Sequence, residues 1–467
     1  MSRLVVASNR VADLSVAKQS GGLAVAVGEA LRQRGGIWFG WNGDVVEDGE
    51  PHAPTSTSHD NVTTVTVPLS RSEFENYYHG FANRTLWPVC HYRLDLAEFS
   101  NEFLDAYRHT NARFAAEIEK LLQPDDILWI HDFHLIPLAS ELRKRGVTQR
   151  IGFFLHIPFP PVEILTATPE HEWLIDSLFA YDLVGFQTQT DLNNFKRYLL
   201  QLGNTTFLPL DRLIRGDREL TAGVFPVGID AEHFAEVAHS AESDRIVASM
   251  KVRDPGLALI IGVDRLDYSK GLPERIRAFE RLLELYPERR QSVSLMQVAQ
   301  PTREDVDAYV DIREELERLT GAINGRYGNF DWTPVRYINR SVERNRLAAI
   351  FRASRIGLVT PVRDGMNLVA KEYVVAQDPH DPGVLVLSKF AGAAETLTEA
   401  LIVNPFDTDE VAEALHDALM MDKSERKHRN YALRTKINNF DVFKWQQDFL
   451  LALEHSRASY LIPEQTP

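Results

Sequence analysis

"RIGLVTPVRDGMNLVAKEY", residues 355–373, passes from an apolar run through Arg363, Asp364 and Gly365 into a segment with helical spacing. A helix N-terminus presents unpaired backbone N–H groups, so the turn before it is a natural seat for an anion. Gly365 lets the backbone approach a ligand closely. With the helix starting near Asn367, Glu372 falls roughly 7–8 Å up the axis at 1.5 Å per residue. A carboxylate there cannot bind phosphate, but it accepts hydrogen bonds from vicinal hydroxyls, as acidic residues do with a nucleotide ribose. The stretch can therefore hold a phosphate and a ribose together and leave Asp364 for a second hydroxylated group. A helix cap beside a solvated charge fits the same residues, and the local pattern alone leaves both readings open.

A second segment, "DRLDYSKG" at 264–271, favours the first reading. Arg265 and Lys270 sit between a strand and a helix in the same half of the chain. Arg offers a fork of donors and Lys a mobile point charge, a pair suited to a diphosphate. Pairing with Asp264 and Asp267 in a surface loop is the alternative. The two segments together make a nucleoside-diphosphate site the better reading. Around them "LALIIGVDRLDYSKG", "LPERIRAFERLLELYP", "SVSLMQVAQPTR" and "VLVLSKFAGAAETL" alternate strands with loops and helices. That alternation predicts a parallel sheet, whose ligands lie outside the carboxyl ends of the strands.

The first half follows the same pattern. "RLVVAS" is a strand, a polar loop ends in Gly21 and Gly22, and "LAVAVGEALRQRGG" has helical spacing with a glycine stop. "GIWFGW", "NVTTVTVPL", "DDILWIHDFHL" and "RIGFFLHIPFP" are further strands, and "LFAYDLVGFQT" is a helix end and a strand. The glycines and proline of "GVFPVGIDAEHF", 223–234, mark a hinge between two doubly wound α/β domains. Arg10 follows the first strand, and the loop from Asn9 to Gly22 is expected to close over a ligand. Trp41 ends a strand, and Tyr78 and Trp87 lie in the polar-aromatic segment "NYYHGFANRTLWP". Aromatics beside polar groups suit sugar faces, although core packing is their commoner use. Asp132 and His156 close two strands. The string "HDFH" has no third or fourth ligand spaced to complete a metal site, so no metal is expected.

Composition sets the outer limits. The 467 residues are too many for one ordinary core, and 44% hydrophobic with 25% charged residues is a usual soluble balance. A formal net charge of −15 argues against a nucleic-acid partner. Cys90, the one cysteine, rules out an internal disulfide framework and a Cys-based zinc site. No signal-like start and no 18-residue apolar run predict a cytoplasmic protein without a membrane partner.

With these residues assembled, the chain resembles the trehalose-6-phosphate synthases of glycosyltransferase family GT20. "SNR", "GGL", "WFGW", "HDFHL", "HIPFP", "GVDRLDYSKG", "QVAQPTRED", "AINGRYG", "TPVRDGMNLVAKEYVVAQ" and "SKFAGAAE" are similar to that family's motifs and run from residue 8 to about 395. The resemblance implies a GT-B fold: two Rossmann-like doubly wound domains facing a central cleft. The first is acceptor-binding (1–226) and the second nucleotide-sugar-binding (227–445), and a last helix (446–460) returns to the first. It implies transfer of glucose, with retention, from a nucleoside-diphosphate glucose to glucose 6-phosphate, with no cofactor, in a homo-oligomer (dimer or tetramer). By this resemblance Arg10, Tyr78 and Arg303 match the acceptor-phosphate motif, and Trp41, Trp87 and Asp132 the acceptor-sugar residues. Gly22, Arg265 and Lys270 match the donor-diphosphate contacts. Asp364 and His156 match contacts to the transferred glucose. The backbone of Gly365, Met366, Asn367 and Leu368 matches the glucose and phosphate contacts, and Glu372 the ribose contact. The catalytic set it implies is Asp132, His156, Arg265, Lys270 and Asp364. One departure is the proline before Arg303, one place later than the family's pattern. Two alternatives remain at this stage: a synthase using another phosphorylated acceptor such as glycerol 3-phosphate, and a non-catalytic sugar-phosphate sensor.

Overall fold

The computed structural model of the protein describes residues 2–12, 22–50, 53–302 and 307–456. The chain divides into two compact units, Met1–Pro226 with Trp445–Pro467, and Val227–Lys444.

The first unit is built on ten strands: β1 Leu4–Arg10, β2 Gly36–Val46, β3 Thr55–His59, β4 Val62–Ser70, β5 Ile127–His131, β6 Arg150–Phe154, β7 Leu183–Phe186, β8 Thr206–Leu208, β9 Arg212–Arg215 and β10 Arg218–Val224. Their order is β3-β4-β2-β1-β5-β6-β7-β10-β9-β8. The run from β4 to β10 is parallel, and β5, β6 and β7 are buried along their whole length or nearly so. Continuous burial is what helices on both faces impose. Both edges depart from the expected parallel sheet: β3 pairs antiparallel with β4, and β9 with both β10 and β8. The helix Gly22–Arg34 ends at Gly35, whose φ of +70° suits a glycine-terminated helix.

The second unit carries β11 Ala258–Arg265, β12 Val293–Gln300, β13 Val335–Ile338, β14 Ile356–Val359, β15 Val384–Ser388 and β16 Leu401–Val403. All pairings are parallel, in the order β13-β12-β11-β14-β15-β16. This is the doubly wound order 3-2-1-4-5-6, which reverses direction between β11 and β14. The crevice at such a reversal is where ligands bind. "DRLDYSKG" leaves β11 and "TPVRDGMN" leaves β14, so the two segments first singled out in the sequence flank that crevice. In the first unit the reversal falls between β1 and β5, the strands that end at Arg10 and just before Asp132.

The helix Val442–His455 starts in the second unit, and from Trp445 it belongs to the first. Trp445, Phe449 and Leu453 recur at i, i+4 and i+8, so one stripe faces inward. Phe449 stacks on Trp129 at 5.0 Å and meets Phe225 edge-on at 5.1 Å. Gly152 on β6 makes the approach possible: a Cβ there would lie 2.8 Å from both Phe449 and Leu453.

Two substitutions test this contact. Phe449→Ala removes a fully buried ring and should cost about 3–5 kcal/mol. Gly152→Ala overpacks the same spot and should cost about 1–3 kcal/mol. In thermal unfolding the double variant should lose less than the sum, because the space left by the ring receives the new methyl. Strict additivity would show that the helix does not depend on this approach.

Candidate functional site

In the second unit the chemistry gathers where β11 and β14 end. Asp267 caps the short turn after β11 by accepting from the Ser269 N–H at 2.9 Å, and that turn delivers Lys270. Lys270 is buried, and its Nζ donates to Asp364 Oδ2 at 2.6 Å. Asn367 Nδ2 donates to the same oxygen at 3.1 Å, while its Oδ1 accepts from the Ala370 N–H at 3.2 Å. Asn367 thus caps the helix Leu368–Ala376 and holds Asp364 at once. It does so at φ +73°, a region an L-residue enters at a cost of about 1–3 kcal/mol.

The strand ends are joined by a residue the sequence reading passed over. Arg275, on the helix Leu272–Leu285, is 1% exposed. Its guanidinium donates to Asp264 Oδ2 on β11 at 2.6 Å, Gln297 Oε1 on β12 at 3.0 Å and Thr360 Oγ1 after β14 at 3.0 Å. It also reaches the Lys270 carbonyl at 3.4 Å. A helical projection carries the signal, since Arg275 falls among Leu272, Ile276 and Phe279 on the buried face. The Val362 and Arg363 N–H groups donate to the Ser269 carbonyl, tying one loop to the other. The "SKFAGAAE" loop supports the arrangement from β15: Gly392 N–H donates to the Asp364 carbonyl and Ala393 N–H to that of Met366. Gly365 and Met366 are buried beneath this lattice, and Leu368 opens the helix with its N–H at the crevice. Arg265 ends β11 with an exposed side chain.

Glu372 lies further along the same helix, apart from Asp364, with Arg344 Nη2 at 3.5 Å. Burial pushes its carboxyl up to about 7, and Arg344 pulls the other way. Its neighbour Lys371 is buried and donates to the Val227 carbonyl at 2.6 Å. Alongside, a groove of about 1010 Å³ follows the edge strand β13 and includes Arg340, Ser341 and Val342.

In the first unit an aromatic wall runs from β1 toward β5. The Arg10 guanidinium lies over Trp41 at 5.5 Å. Trp41 meets Tyr78 at 5.2 Å, and Tyr78 stacks on His134 at 5.9 Å. Trp87, buried, meets Phe133 at 5.7 Å, directly after Asp132. The segment carrying Tyr78 is a π-helix, Phe74–Leu86, where the sequence suggested only a polar-aromatic stretch. π-helical turns cluster at functional sites. Tyr77 turns to the core and donates to Asn9 Oδ1 at 2.7 Å, which steadies the end of β1 beside Arg10. Asp132 holds φ +76°, a second strained residue, and its Oδ1 accepts from the His156 N–H at 3.2 Å. Gly22 is the first residue of its helix. The loop residues 13–21, Arg303 and the tail from 457 lie outside the described residues. Among the described residues, no group of three or more His, Cys, Asp or Glu is placed to hold a metal.

Comparison with known proteins agrees across the chain. The profile of Glycosyltransferase family 20 matches residues 3–455. The trehalose-6-phosphate synthase of Sodalis glossinidius is 48% identical over 451 residues, 96% of this chain and 95% of the relative. That of Sinorhizobium fredii is 47% identical over 453 residues, 96% of this chain and 98% of the relative. The solved structure of a UDP-forming alpha,alpha-trehalose-phosphate synthase from Burkholderia xenovorans, in complex with glucose-6-phosphate, matches with a TM-score of 0.93 at 48% identity, over 97% of this chain and 100% of that one. An E. coli structure bound with UDP-2-fluoro glucose matches with a TM-score of 0.92 at 47% identity, over 97% of this chain and 99% of that one. Family profile, relatives and solved structures meet the strand orders and loop geometry on one conclusion: this is a two-unit GT-B protein, and the chain belongs to glycosyltransferase family 20.

Proposed function

We propose that the protein moves glucose, with retention, from a nucleoside-diphosphate glucose to glucose 6-phosphate, giving trehalose 6-phosphate and the nucleoside diphosphate. The observation that carries this reading is the Lys270–Asp364–Asn367 cluster at the strand-order reversal of the second unit, at the start of the helix Leu368–Ala376. A cation for phosphate, a carboxylate for sugar hydroxyls and the N-terminus of a helix stand together in one hydrogen-bonded cluster. In this reading the Lys270–Asp364 pair is a resting contact that the donor exchanges: Lys270 turns to the diphosphate with Arg265 and Gly22, and Asp364 to the glucose. The backbone from Gly365 to Leu368 meets glucose and phosphate. Glu372 takes the ribose, and the base lies near Arg340–Val342, in the groove along β13. UDP-glucose is the donor the reading favours, because similar proteins of known structure are UDP-forming.

The acceptor set is Arg10, Tyr78 and Arg303 for the phosphate, with Trp41, Trp87 and Asp132 for the sugar. The Arg10–Trp41–Tyr78 contacts support it. A double displacement would need a carboxylate nucleophile at the anomeric carbon. Asp132, the obvious carboxylate of the first unit, is in this reading assigned to the acceptor sugar. That favours transfer in which the leaving diphosphate itself takes the acceptor proton, while Arg265 and Lys270 neutralise its charge and fixed dipoles set the geometry. His156 orients the transferred sugar. The reading carries with it a cytoplasmic homo-oligomer, a dimer or tetramer, with no nucleic-acid partner. The charge of −15 speaks for the last point. Among the described residues no helix is long and apolar enough to cross a membrane.

Turnover with UDP-, ADP- and GDP-glucose, each against glucose 6-phosphate and glycerol 3-phosphate, tests the reading directly. UDP-glucose with glucose 6-phosphate should give the highest kcat/KM. A preference for glycerol 3-phosphate, or binding without turnover, would replace it.

Lys270→Ala should lose about 2–4 kcal/mol of transition-state stabilisation, a fall in kcat of roughly 30- to 1,000-fold, and should also lower the thermal midpoint, because Asp364 loses its buried cation. Near-normal turnover by the folded variant would remove this lysine from the mechanism.

Glu372 sets a pH dependence. Its folded pKa of about 7 lies above the ordinary 4.5, so the shift stabilises the fold below that ordinary value and the contribution is lost as pH rises through 7. Donor affinity moves in the opposite sense, because the ionised carboxylate is the better acceptor for the ribose hydroxyls. The donor KM should fall severalfold from about pH 6 to about pH 8 and stay flat in Glu372→Gln. An identical profile in the variant would place the titration elsewhere.

A further inference from the structure

His131 is the last residue of β5 and has no solvent exposure. Trp129 lies 4.5 Å from its ring and Trp445 lies 6.4 Å away. Its Nδ1 is 3.1 Å from Nε2 of His156, and its own Nε2 is buried with no hydrogen-bond partner. Burial holds both rings neutral: it drives His131 well below the usual histidine range and His156 down to about 3.

Two neutral imidazoles that face each other share a single proton between the facing nitrogens, so the pair has two arrangements. In one, His156 Nε2–H donates to His131 Nδ1. His131 then carries its proton on Nε2, and an N–H donor is left unmatched inside an apolar, indole-lined wall. In the other, His131 Nδ1–H donates to His156 Nε2. The unmatched Nε2 of His131 is then a bare lone pair, and the remaining proton of His156 sits on Nδ1. Orphaned buried N–H donors are rarer than under-used acceptors, which selects the second arrangement.

The backbone of His156 is held independently. Its N–H donates to Asp132 Oδ1 at 3.2 Å, and its carbonyl accepts from Gln187 Nε2 at 3.4 Å. Those two contacts place the residue, but neither sets which ring nitrogen carries hydrogen. We infer that His131 is a positioning residue that locks His156 in its Nδ1–H tautomer, so that Nδ1 presents a donor hydrogen to a hydroxyl oxygen of the transferred sugar. The inference rests on the reading of His156 as a contact to that sugar. Through His131 the buried wall dictates the hydrogen-bonding sense of a group in the site: His156 gives a hydrogen bond to the sugar rather than taking one.

The full chain labelled with 15N-histidine decides the tautomer. Long-range 1H–15N correlations should show pyrrole-type Nδ1 and pyridine-type Nε2 for both His131 and His156. The reverse pattern at His156 overturns the inference. His131→Phe keeps an aromatic ring, a somewhat larger one, and removes the donor. With UDP-glucose and glucose 6-phosphate it should lower kcat by about 10- to 100-fold, as loss of an outer hydrogen-bond partner does elsewhere, and leave the KM for glucose 6-phosphate unchanged. His131→Asn restores a donor at the δ position and should recover most of that kcat. Wild-type kcat in the phenylalanine variant, or no recovery in the asparagine variant, would leave His131 a packing residue. Should His131→Phe not fold, the wild-type spectra and His131→Asn still decide the question. His156→Ala separates the two layers: if it binds and turns over donor normally, the sugar contact fails, and the inference with it, whatever the tautomer.

Discussion

A guanidinium sealed among the carboxyl ends of parallel strands organises the second unit. Arg275 reaches β11 through Asp264, β12 through Gln297 and the chain beyond β14 through Thr360, and touches the carbonyl of Lys270. Parallel strands end with backbone groups that the next loop must satisfy. A planar fork of donors can serve several acceptors at once, which an ammonium on a flexible stem does less well. A buried ion pair of this kind brings little net stability, and breaking it by removing one partner leaves an uncompensated charge at a cost of about 3–5 kcal/mol. Its contribution is therefore to geometry. It fixes the spacing of two loops that the strand order places side by side, and it is why Lys270 and Asp364, 94 residues apart, meet at 2.6 Å.

The same economy appears in the strained residues. Asp132 and Asn367 both hold positive φ values without being glycine, one in each unit, each directly after or near a strand at the point where strand order reverses. Each uses its side chain to satisfy a nearby N–H, His156 for Asp132 and Ala370 for Asn367. Glycine would relieve the strain but leave those donors unmatched. Local strain is tolerated because the buried strand ladder around it is over-determined.

Charge is handled differently in the two units. The donor side of the reading relies on buried, mutually satisfied ions, so a substrate must replace contacts rather than find bare charges. The acceptor side relies on Arg10 spread over an indole, within a wall of aromatic rings in which Trp41 and Trp87 are themselves buried. The π-helical segment Phe74–Leu86 makes this division possible: it sends Tyr77 inward to Asn9 and Tyr78 toward Trp41 and His134, though the two are neighbours in sequence.

By itself the sequence determined the features whose cause is local. The run from Ile356 to Gly365 announces a strand feeding a helix, and Glu372 sits at an offset from Asn367 set by helix geometry alone. Strand–helix alternation predicted doubly wound units. What only the tertiary structure decided is what depends on long-range pairing. That β11 lies beside β14 follows from which edges pair, and no residue in either strand encodes its neighbour. The antiparallel edges β3, β8 and β9 are only three to five residues long, so their patterning says little before they pair. Arg275 and His131 were legible only as polar residues on apolar surfaces; their roles come from acceptors brought in from other strands. Hydrophobic periodicity reports which face is buried, because burial follows from the side chain's own chemistry. It does not report which buried polar atoms will meet, because hydrogen bonds depend on partners placed to within a few tenths of an ångström by the whole sheet.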